Sequence, residues 1–288
     1  MPGQALACGL ATVDVVQVVE AVPEPDEKVL ARASTVAAGG PACVAAMACA
    51  ALGVPTRFVG AVGSGPLSAV VLADLAAHGV AVTDVAPPGL RPPVASVLVT
   101  EATGERAVVS QGAAGVTGYD PVSDARAGLL LDGVGAVLVD GHHLPIALEV
   151  ARAATARHIP VLLDGGSWKP GLEELLALVD VAVTSAAFAL PGGGGLEGLL
   201  AAGPGWVAAS DGAGPVRWCA ADGGRGQVEV PSVEVVDTLG AGDVLHGALL
   251  AQVARDGTGD LPGALAAAVS VASGSVTHPG PLGWAEAR

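Results

Sequence analysis

The sequence predicts a three-layer α/β/α fold around a mostly parallel central sheet. Short runs of Val, Leu and Ile alternate with Ala- and Leu-rich segments of helical length. These apolar runs are continuous rather than alternating, which is typical of strands covered on both faces. Hydrophobic residues make up 51% of the 288 residues but aromatic residues only 2%, so small side chains would let helices pack close against the sheet.

The expected elements follow one another along the chain. Strands are predicted at 5–10, 57–63, 136–140, 159–164, 179–184 and 206–210. Helices are predicted at 41–52, 66–78, 146–157, 172–178, 242–254 and 261–276. This alternation indicates a parallel sheet. The glycine-rich segment 190–198 is predicted to be a flexible connection. No linker marks a boundary, so we expect residues 1–288 to form a single domain.

Residues 14–22 and 93–110 depart from this alternation. Both segments look like strands: 14–22 follows the first strand directly, with no helix before it, and 93–110 is predicted to be a hairpin that turns at 101–106. They predict a small antiparallel sheet beside the main one, formed by about residues 14–35 and 92–111. We interpret it as a lid, with a stray edge hairpin as the alternative.

Charge and composition exclude several classes of partner. The net charge is −15 and the chain has two lysines, Lys28 and Lys169, which argues against nucleic acid or an anionic membrane. No apolar run reaches the ~18–20 residues of a membrane span, and the N-terminus lacks the pattern of a signal peptide. The four cysteines show no CxxC spacing and are expected to be reduced core thiols. These features favour a cytoplasmic protein.

The segment VVDTLGAGDVLHGALLA (235–251) is the main candidate for chemistry. It is predicted to pass from an apolar strand through a turn into an apolar helix. The amides of Gly240, Ala241, Gly242 and Asp243 would begin the helix and form an anion site. Because the Asp243 carboxylate would repel an anion, we interpret it as the group that orients an alcohol and accepts its proton. An aspartate that merely caps the helix is the alternative.

Other nucleotide-binding and catalytic motifs are absent from the sequence, because the residues that they require are missing. A dinucleotide fingerprint would need glycine where Leu245 stands, and neither lysine follows a glycine as a P-loop requires. No GxSxG or HExxH pattern occurs, and no protein metal site is predicted. Phosphoryl transfer without a P-loop remains.

The motif DTLGAGD (237–243) resembles the C-terminal signature of the ribokinase-like, or PfkB, family of carbohydrate kinases. AAGGPACVAAMACAALG (37–53) resembles the N-terminal glycine-pair motif of that family. The resemblance covers nearly the whole chain, because CGLATVDVV (8–16), TGERAVV (103–109), VLLDGGSWKPG (161–171) and VAASDGAGPV (207–216) also match.

The resemblance implies a sheet of about nine strands with a β lid, and ATP-dependent phosphorylation of a sugar hydroxyl. It implies Asp243 as the base and Gly240–Gly242 as an oxyanion cradle. By the same resemblance, the substrate would contact Asp14, Gly39, Gly40 and Arg106, and the nucleotide would contact Ser210, Gly212, Ser270 and Ser273. Mg²⁺ would bridge the ATP phosphates, and K⁺ activation near 237–238 follows from the family alone. An open lid strand edge favours a homodimer.

Two departures qualify this resemblance. Val44 stands where many members have asparagine, and SAAF (185–188) replaces the Asn-x-x-Glu element associated with magnesium. Ketohexokinase-like members also lack that element, which favours the ketohexokinase/fructokinase branch and a ketose-type sugar. A nucleoside kinase and a sugar- or nucleotide-binding regulator without activity remain as alternatives, with a nicotinamide-dependent dehydrogenase the weakest. Asp164 is expected to be structural, and His246 to pack.

Overall fold

The computed structural model describes residues 3–113 and 116–286 and has the predicted α/β architecture. Thirteen strands form two sheets within these residues. The strands are β1 (Gln4–Cys8), β2 (Thr12–Val19), β3 (Ala33–Gly39), β4 (Thr56–Gly60), β5 (Ala81–Asp84), β6 (Val94–Thr100), β7 (Arg106–Ser110), β8 (Val134–Val139), β9 (Val161–Gly165), β10 (Val181–Ser185), β11 (Trp206–Asp211), β12 (Gly214–Ala220) and β13 (Arg225–Val228).

The large sheet has nine strands in the order β13-β12-β11-β10-β9-β8-β1-β4-β5. Its strands pair in parallel from β11 to β5, and β12 and β13 add an antiparallel edge. The carboxyl ends of the parallel strands meet at one edge of the sheet, where ligands bind in open α/β sheets.

Helices cover both faces of this sheet. They are α1 (Pro41–Ala51), α2 (Pro66–Ala77), α3 (Asp124–Leu130), α4 (Leu144–Thr155), α5 (Leu172–Leu176), α6 (Gly195–Ala201), α7 (Ala241–Asp256), α8 (Leu261–Ser275) and α9 (Gly283–Glu286). The core on one face joins α1, α7 and α8 to the sheet, and the core on the other joins α4 and α5. Small residues permit this packing: a Cβ on Gly247 would lie 2.4 Å from the Ala45 carbonyl oxygen.

The second sheet confirms the small appended sheet that the sequence predicts. Its order is β3-β2-β6-β7, with β2–β3 and β6–β7 antiparallel and β2–β6 parallel. The hairpin turns between Thr100 and Arg106, within the predicted region. We call this four-stranded sheet the lid.

Several sequence predictions need correction. No strand precedes the Gly–Asp turn: Val235 and Val236 are exposed, and the amide of Val236 donates to the Val276 carbonyl rather than to a sheet neighbour. The segment 190–198 is not a connection throughout, because α6 begins at Gly195. The prediction also lacked β5, β12 and β13, whose short, partly exposed sequences give no continuous apolar run.

Across residues 3–113 and 116–286, no helix combines the length and the apolar character needed to cross a membrane.

Candidate active site

The amino end of α7 presents the predicted anion site. Gly240 takes a left-handed φ of 71°, and a Cβ there would lie 2.5 Å from the Pro281 Cβ. No side chain caps the helix. The Ala241 amide donates to the Thr238 carbonyl at 3.3 Å. The amides of Gly242 and Asp243 belong to the first turn, where no intrahelical acceptor is within reach. Space is open around Gly242, since a Cβ there would meet no atom within 4 Å.

Asp237 fixes the loop before this helix, a role that the sequence analysis did not assign. Its carboxylate is buried and accepts from the amides of Leu239 at 2.8 Å and Gly280 at 2.9 Å. Both oxygens are therefore used to hold the loop in shape, and this geometry adds nothing to the K⁺ expectation at 237–238.

Asp243 lies half-buried in the first turn of α7. Burial raises its pKa to about 7, and the charge of Asp164 adds to this, whereas His246 and Arg106 oppose it. A carboxylate whose pKa lies near neutrality is suited to accept a proton from an alcohol. The charge of Arg106 lowers the pKa of Asp243 and that of Asp14 raises it, so these three predicted residues influence one another electrostatically.

Asp14 lies on β2 against the glycine pair. Its Oδ1 accepts from Thr12 Oγ1 at 2.5 Å, and burial raises its pKa. A Cβ on Gly39 would lie 2.1 Å from Asp14 Oδ2, so only glycine lets this carboxylate lie against β3. Gly40 has a φ of 94° and precedes α1, where a Cβ would lie 2.5 Å from the Leu10 carbonyl oxygen. The glycine pair thus lets the Asp14 carboxylate and the Leu10 carbonyl approach the main chain closely at adjacent residues.

Arg106 begins β7 of the lid and reaches the loop before α7. Its Nη1 donates to the Thr238 carbonyl at 3.1 Å and to Thr238 Oγ1 at 3.0 Å. Thr238 Oγ1 in turn donates to the Gly104 carbonyl in the hairpin turn, at 2.9 Å. The tip of the lid is therefore attached to the anion site.

The predicted nucleotide residues lie on β11, the turn after it, and α8. Ser210 is the penultimate residue of β11 and pairs with Ser185 of β10, and its hydroxyl donates to the Thr184 carbonyl at 3.3 Å. It borders a cavity of about 630 Å³ that Ser185, Phe188 and Arg217 also line. Gly212 forms the turn to β12 with a φ of 54°. Ser273 is buried on α8 and Ser270 is exposed. No interaction links these four residues directly to Asp243 in the described part of the chain.

The structure also places acidic groups that sequence reasoning missed or set aside. Asp140 is buried after β8 and accepts from the amides of Leu10 at 2.8 Å and Ala42 at 3.1 Å. It thereby joins β1, β8 and the start of α1. Asp164 is the penultimate residue of the fully buried strand β9, and its Oδ2 lies 3.2 Å from Nδ1 of His246 on α7. Their positions at strand ends were the available signal, because carboxyl ends of parallel strands converge.

The two departures from the family pattern are visible in the structure. Val44 is buried in α1 and offers no polar group. Ser185, at the start of the replaced SAAF element, donates to the Gly166 carbonyl at 3.0 Å. Within the described residues, no group of three His, Cys, Asp or Glu side chains is arranged to hold a metal.

The fold and site together define an α/β protein in which the uncapped start of α7 lies beside a carboxylate and is linked by hydrogen bonds to a small four-stranded sheet. The model of the pfkB family of carbohydrate kinases matches residues 4–286. The chain therefore belongs to the pfkB family of carbohydrate kinases, a family of phosphotransferases that act on sugars.

Solved structures agree with this assignment. A protein of Agrobacterium tumefaciens, assigned provisionally as a ribokinase, is 26% identical, with a TM-score of 0.83 over 98% of this chain and 94% of that one. Arabidopsis thaliana ribokinase, solved with ribose and ATP, is 22% identical, with a TM-score of 0.75 over 97% and 94%. A microbiome-derived acarbose kinase is 19% identical, with a TM-score of 0.80 over 96% and 93%. The last two show the fold alone.

Proposed function

We propose that this protein is an ATP-dependent sugar kinase in which Asp243 deprotonates the acceptor hydroxyl. The observation that carries the proposal is the half-buried Asp243 carboxylate, with a raised pKa, beside the uncapped first turn of α7. The amides of that turn would stabilise the transferring phosphoryl group, and the carboxylate would orient the attacking alcohol. Both groups belong to one helix turn, which fixes their separation.

The substrate would lie between α7 and the lid. Asp14 would accept hydrogen bonds from sugar hydroxyls, and the glycine pair Gly39–Gly40 would let the sugar approach the main chain. Arg106 is held by Thr238 beside the anion site, where its charge would offset that of the phosphoryl group. Ser210 and Gly212 would line the nucleotide, with Ser270 and Ser273 on the flanking helix.

Magnesium would reach this site together with the nucleotide. The described residues form no metal cluster, so the ion would be held by phosphate oxygens and water. The uncapped amides of Gly242 and Asp243 and the open space at Gly242 suit the phosphate chain itself. We assign no protein ligand to the ion.

The preference for a ketose rests on the missing Asn-x-x-Glu element and on the DTLGAGD wording shared with ketohexokinase-like members, and the ribokinase neighbours do not support it. A nucleoside kinase remains the second candidate, because Val44, which is buried and apolar, stands where many members have asparagine. A regulator without activity is the third. We also propose a cytoplasmic location and a homodimer joined through the lid.

A coupled ADP-release screen over ketoses, aldoses, sugar acids, sugar phosphates and nucleosides tests the proposal. We expect ADP release that requires both Mg²⁺ and one sugar class. Turnover with nucleosides only would favour the second candidate. Release with none of the compounds, together with measurable ATP binding, would favour the regulator.

A further inference from the structure

The His246 side chain contacts three elements beneath the candidate site. It lies one turn after Asp243 and is almost fully buried, at 5% exposure. Its Nδ1 is 2.7 Å from the Gly242 carbonyl oxygen, and its Nε2 is 3.0 Å from the Val183 carbonyl oxygen on β10. Its Nδ1 is also 3.2 Å from Asp164 Oδ2 at the end of β9. The ring therefore links the first turn of α7 to two strands.

The two carbonyl contacts indicate how many protons the imidazole ring carries. Carbonyl oxygens only accept hydrogen bonds, whereas a neutral imidazole has one N–H and one lone pair. A neutral ring would therefore point a lone pair at one of the two carbonyls. A ring that carries two protons donates to both and acquires a positive charge.

Asp164 supplies the matching negative charge. Its Oδ2 is buried and has no hydrogen-bond partner in the described part of the chain, and the ring nitrogen is 3.2 Å away. A buried charge is costly unless it is paired. The neighbouring charges on the ends of β8 and β9 and in the loops that follow are Asp140, His142 and Lys169, and Asp243 lies on α7 itself.

Burial and hydrogen bonding act in opposite directions on this pair. Burial lowers the pKa of His246, whereas the carbonyls of Val183 and Gly242 and the charge of Asp243 raise it. Burial likewise raises the pKa of Asp164 to about 8. On balance the pKa of His246 is lowered and that of Asp164 is raised, which favours the shared proton on Asp164. The contacts of the ring oppose this, because a neutral imidazole would turn a lone pair toward one of the two carbonyl oxygens, so the geometry favours the proton on the ring.

We propose that His246 is a positioning residue, which as an imidazolium paired with Asp164 holds the Gly242–Asp243 peptide of the anion site against β10. The inference rests on the proposed kinase function for its effect on turnover. Gly242 and Asp243 carry the two first-turn amides and the base, so a shift of this peptide would displace all three groups together. His246 itself does not touch the substrate.

Histidine ring NMR tests the charge state without a substrate. The chain has only six histidines, so comparison with His246→Asn identifies the His246 signals. At pH 7 we expect a doubly protonated ring that loses one proton in Asp164→Asn. A singly protonated His246 ring in the parent protein overturns the proposal.

Hydrogen exchange and kinetics test the positioning. Asparagine is too short to span both carbonyls, so His246→Asn should speed amide exchange in the first turn of α7. We expect its kcat to fall by about 10–100-fold while KM for sugar and ATP changes by less than about twofold. His246→Gln, which restores a donor toward Val183, should recover part of the kcat.

His78→Asn is the matched control, because His78 Nδ1 makes the same contact to a carbonyl four residues earlier, Asp74 at 2.9 Å, on a half-exposed helix end. Equal exchange and kinetics in His246→Asn and His78→Asn would overturn the positioning role. Absence of turnover in the parent protein would contradict the proposed function instead. The NMR and exchange measurements would still show whether His246 and Asp164 form an ion pair and whether His246 holds the Gly242–Asp243 peptide against β10.

Discussion

At the scale of single residues, the proposed role of the Asp243 carboxylate as the base is accompanied by a cost in stability. Its environment is apolar enough to raise the pKa to about 7, because burial penalises the charged form. Ionised Asp243 is therefore ready to accept a proton but is poorly solvated in the folded protein. This combination is typical of residues kept for function rather than for stability.

A pH prediction follows for Asp243. Turnover should fall as pH drops through about 7, because protonation removes the base. The pKa of Asp243 is higher in the folded protein than in the unfolded one. The contribution of this carboxyl to the free energy of unfolding is therefore fully present below its unfolded-state pKa, and it is lost as pH rises through about 7. At pH 8, Asp243→Asn should therefore unfold at a higher temperature than the parent protein. We expect its free energy of unfolding to be larger by roughly 1–4 kcal/mol.

Thermal unfolding at pH 8 and pH 4 provides the measurement and its control. At pH 4 the parent carboxyl is largely neutral, and the difference between the two proteins should be small. A variant that is less stable than the parent at pH 8 would show that the carboxylate is well solvated or paired.

Gly39 gives a second residue-scale prediction. A Cβ at this position would lie 2.1 Å from Asp14 Oδ2, so Gly39→Ala should push the carboxylate away from its present position. We expect KM for the sugar to rise roughly tenfold, about 1.4 kcal/mol of binding, with KM for ATP nearly unchanged. Steady-state kinetics on both substrates would measure this.

Gly259→Ala is the control for this substitution, because a Cβ at Gly259 meets no atom within 4 Å. A larger change in KM for ATP than for the sugar would contradict the assignment of Asp14 and Gly39 to the sugar.

At the scale of elements, hydrogen bonds join the lid to the loop before α7. Thr238 hydrogen bonds link the hairpin turn at Gly104 to the loop that precedes α7, and Arg106 adds two contacts to the same residue. Movement of the lid would therefore disturb the loop that shapes the anion site. Lids of this kind exclude water from a reacting phosphoryl group.

Thr238→Val tests this connection, since valine keeps the shape of threonine and removes the hydroxyl. Two hydrogen bonds at about 1 kcal/mol each would be lost. We expect faster amide hydrogen exchange across residues 94–110 and a higher KM for the sugar. Thr103→Val is the control, because the Thr103 hydroxyl bonds only within the turn, to Glu105. Equal exchange in both variants would show that the lid does not depend on Thr238.

The elements also show how far sequence patterns reach. The buried strands β8 to β11 and helices α1, α2, α7 and α8 could be predicted, because continuous apolar runs and Ala-rich segments mark them. The antiparallel strands β12 and β13 could not, since their Arg and Gly residues interrupt any apolar run. Val235 and Val236 suggested a strand, but both are exposed in a loop. The sequence alone does not distinguish such exposed valines from those of a buried strand.

The site was predictable to a similar extent. The local motif located Asp243 and its glycines, because one turn of helix brings them together. Asp164 and His246 are 82 positions apart in the sequence, and only the fold brings them to 3.2 Å. The role of Asp237 likewise depends on Gly280, which no local pattern connects to it.

At the scale of the whole molecule, the lid leaves an open strand edge. Val108 and Val109 on the edge strand β7 are 50% and 76% exposed. An exposed edge with apolar side chains favours pairing with another chain. We expect a homodimer in solution that Val109→Glu converts to a monomer, measured by sedimentation. Leu129→Glu, at a 78% exposed leucine on α3, is the control and should stay dimeric. A monomeric parent protein would refute this interface.

The most direct test of the central claim is sugar-dependent ADP release by Asp243→Asn beside Asp256→Asn, which changes an exposed aspartate at the other end of the same helix. We predict that Asp243→Asn lowers kcat by about 10²–10⁴-fold and still binds ATP, while Asp256→Asn retains the parent rate. Equal turnover by the two variants would contradict the assignment of Asp243 as the base.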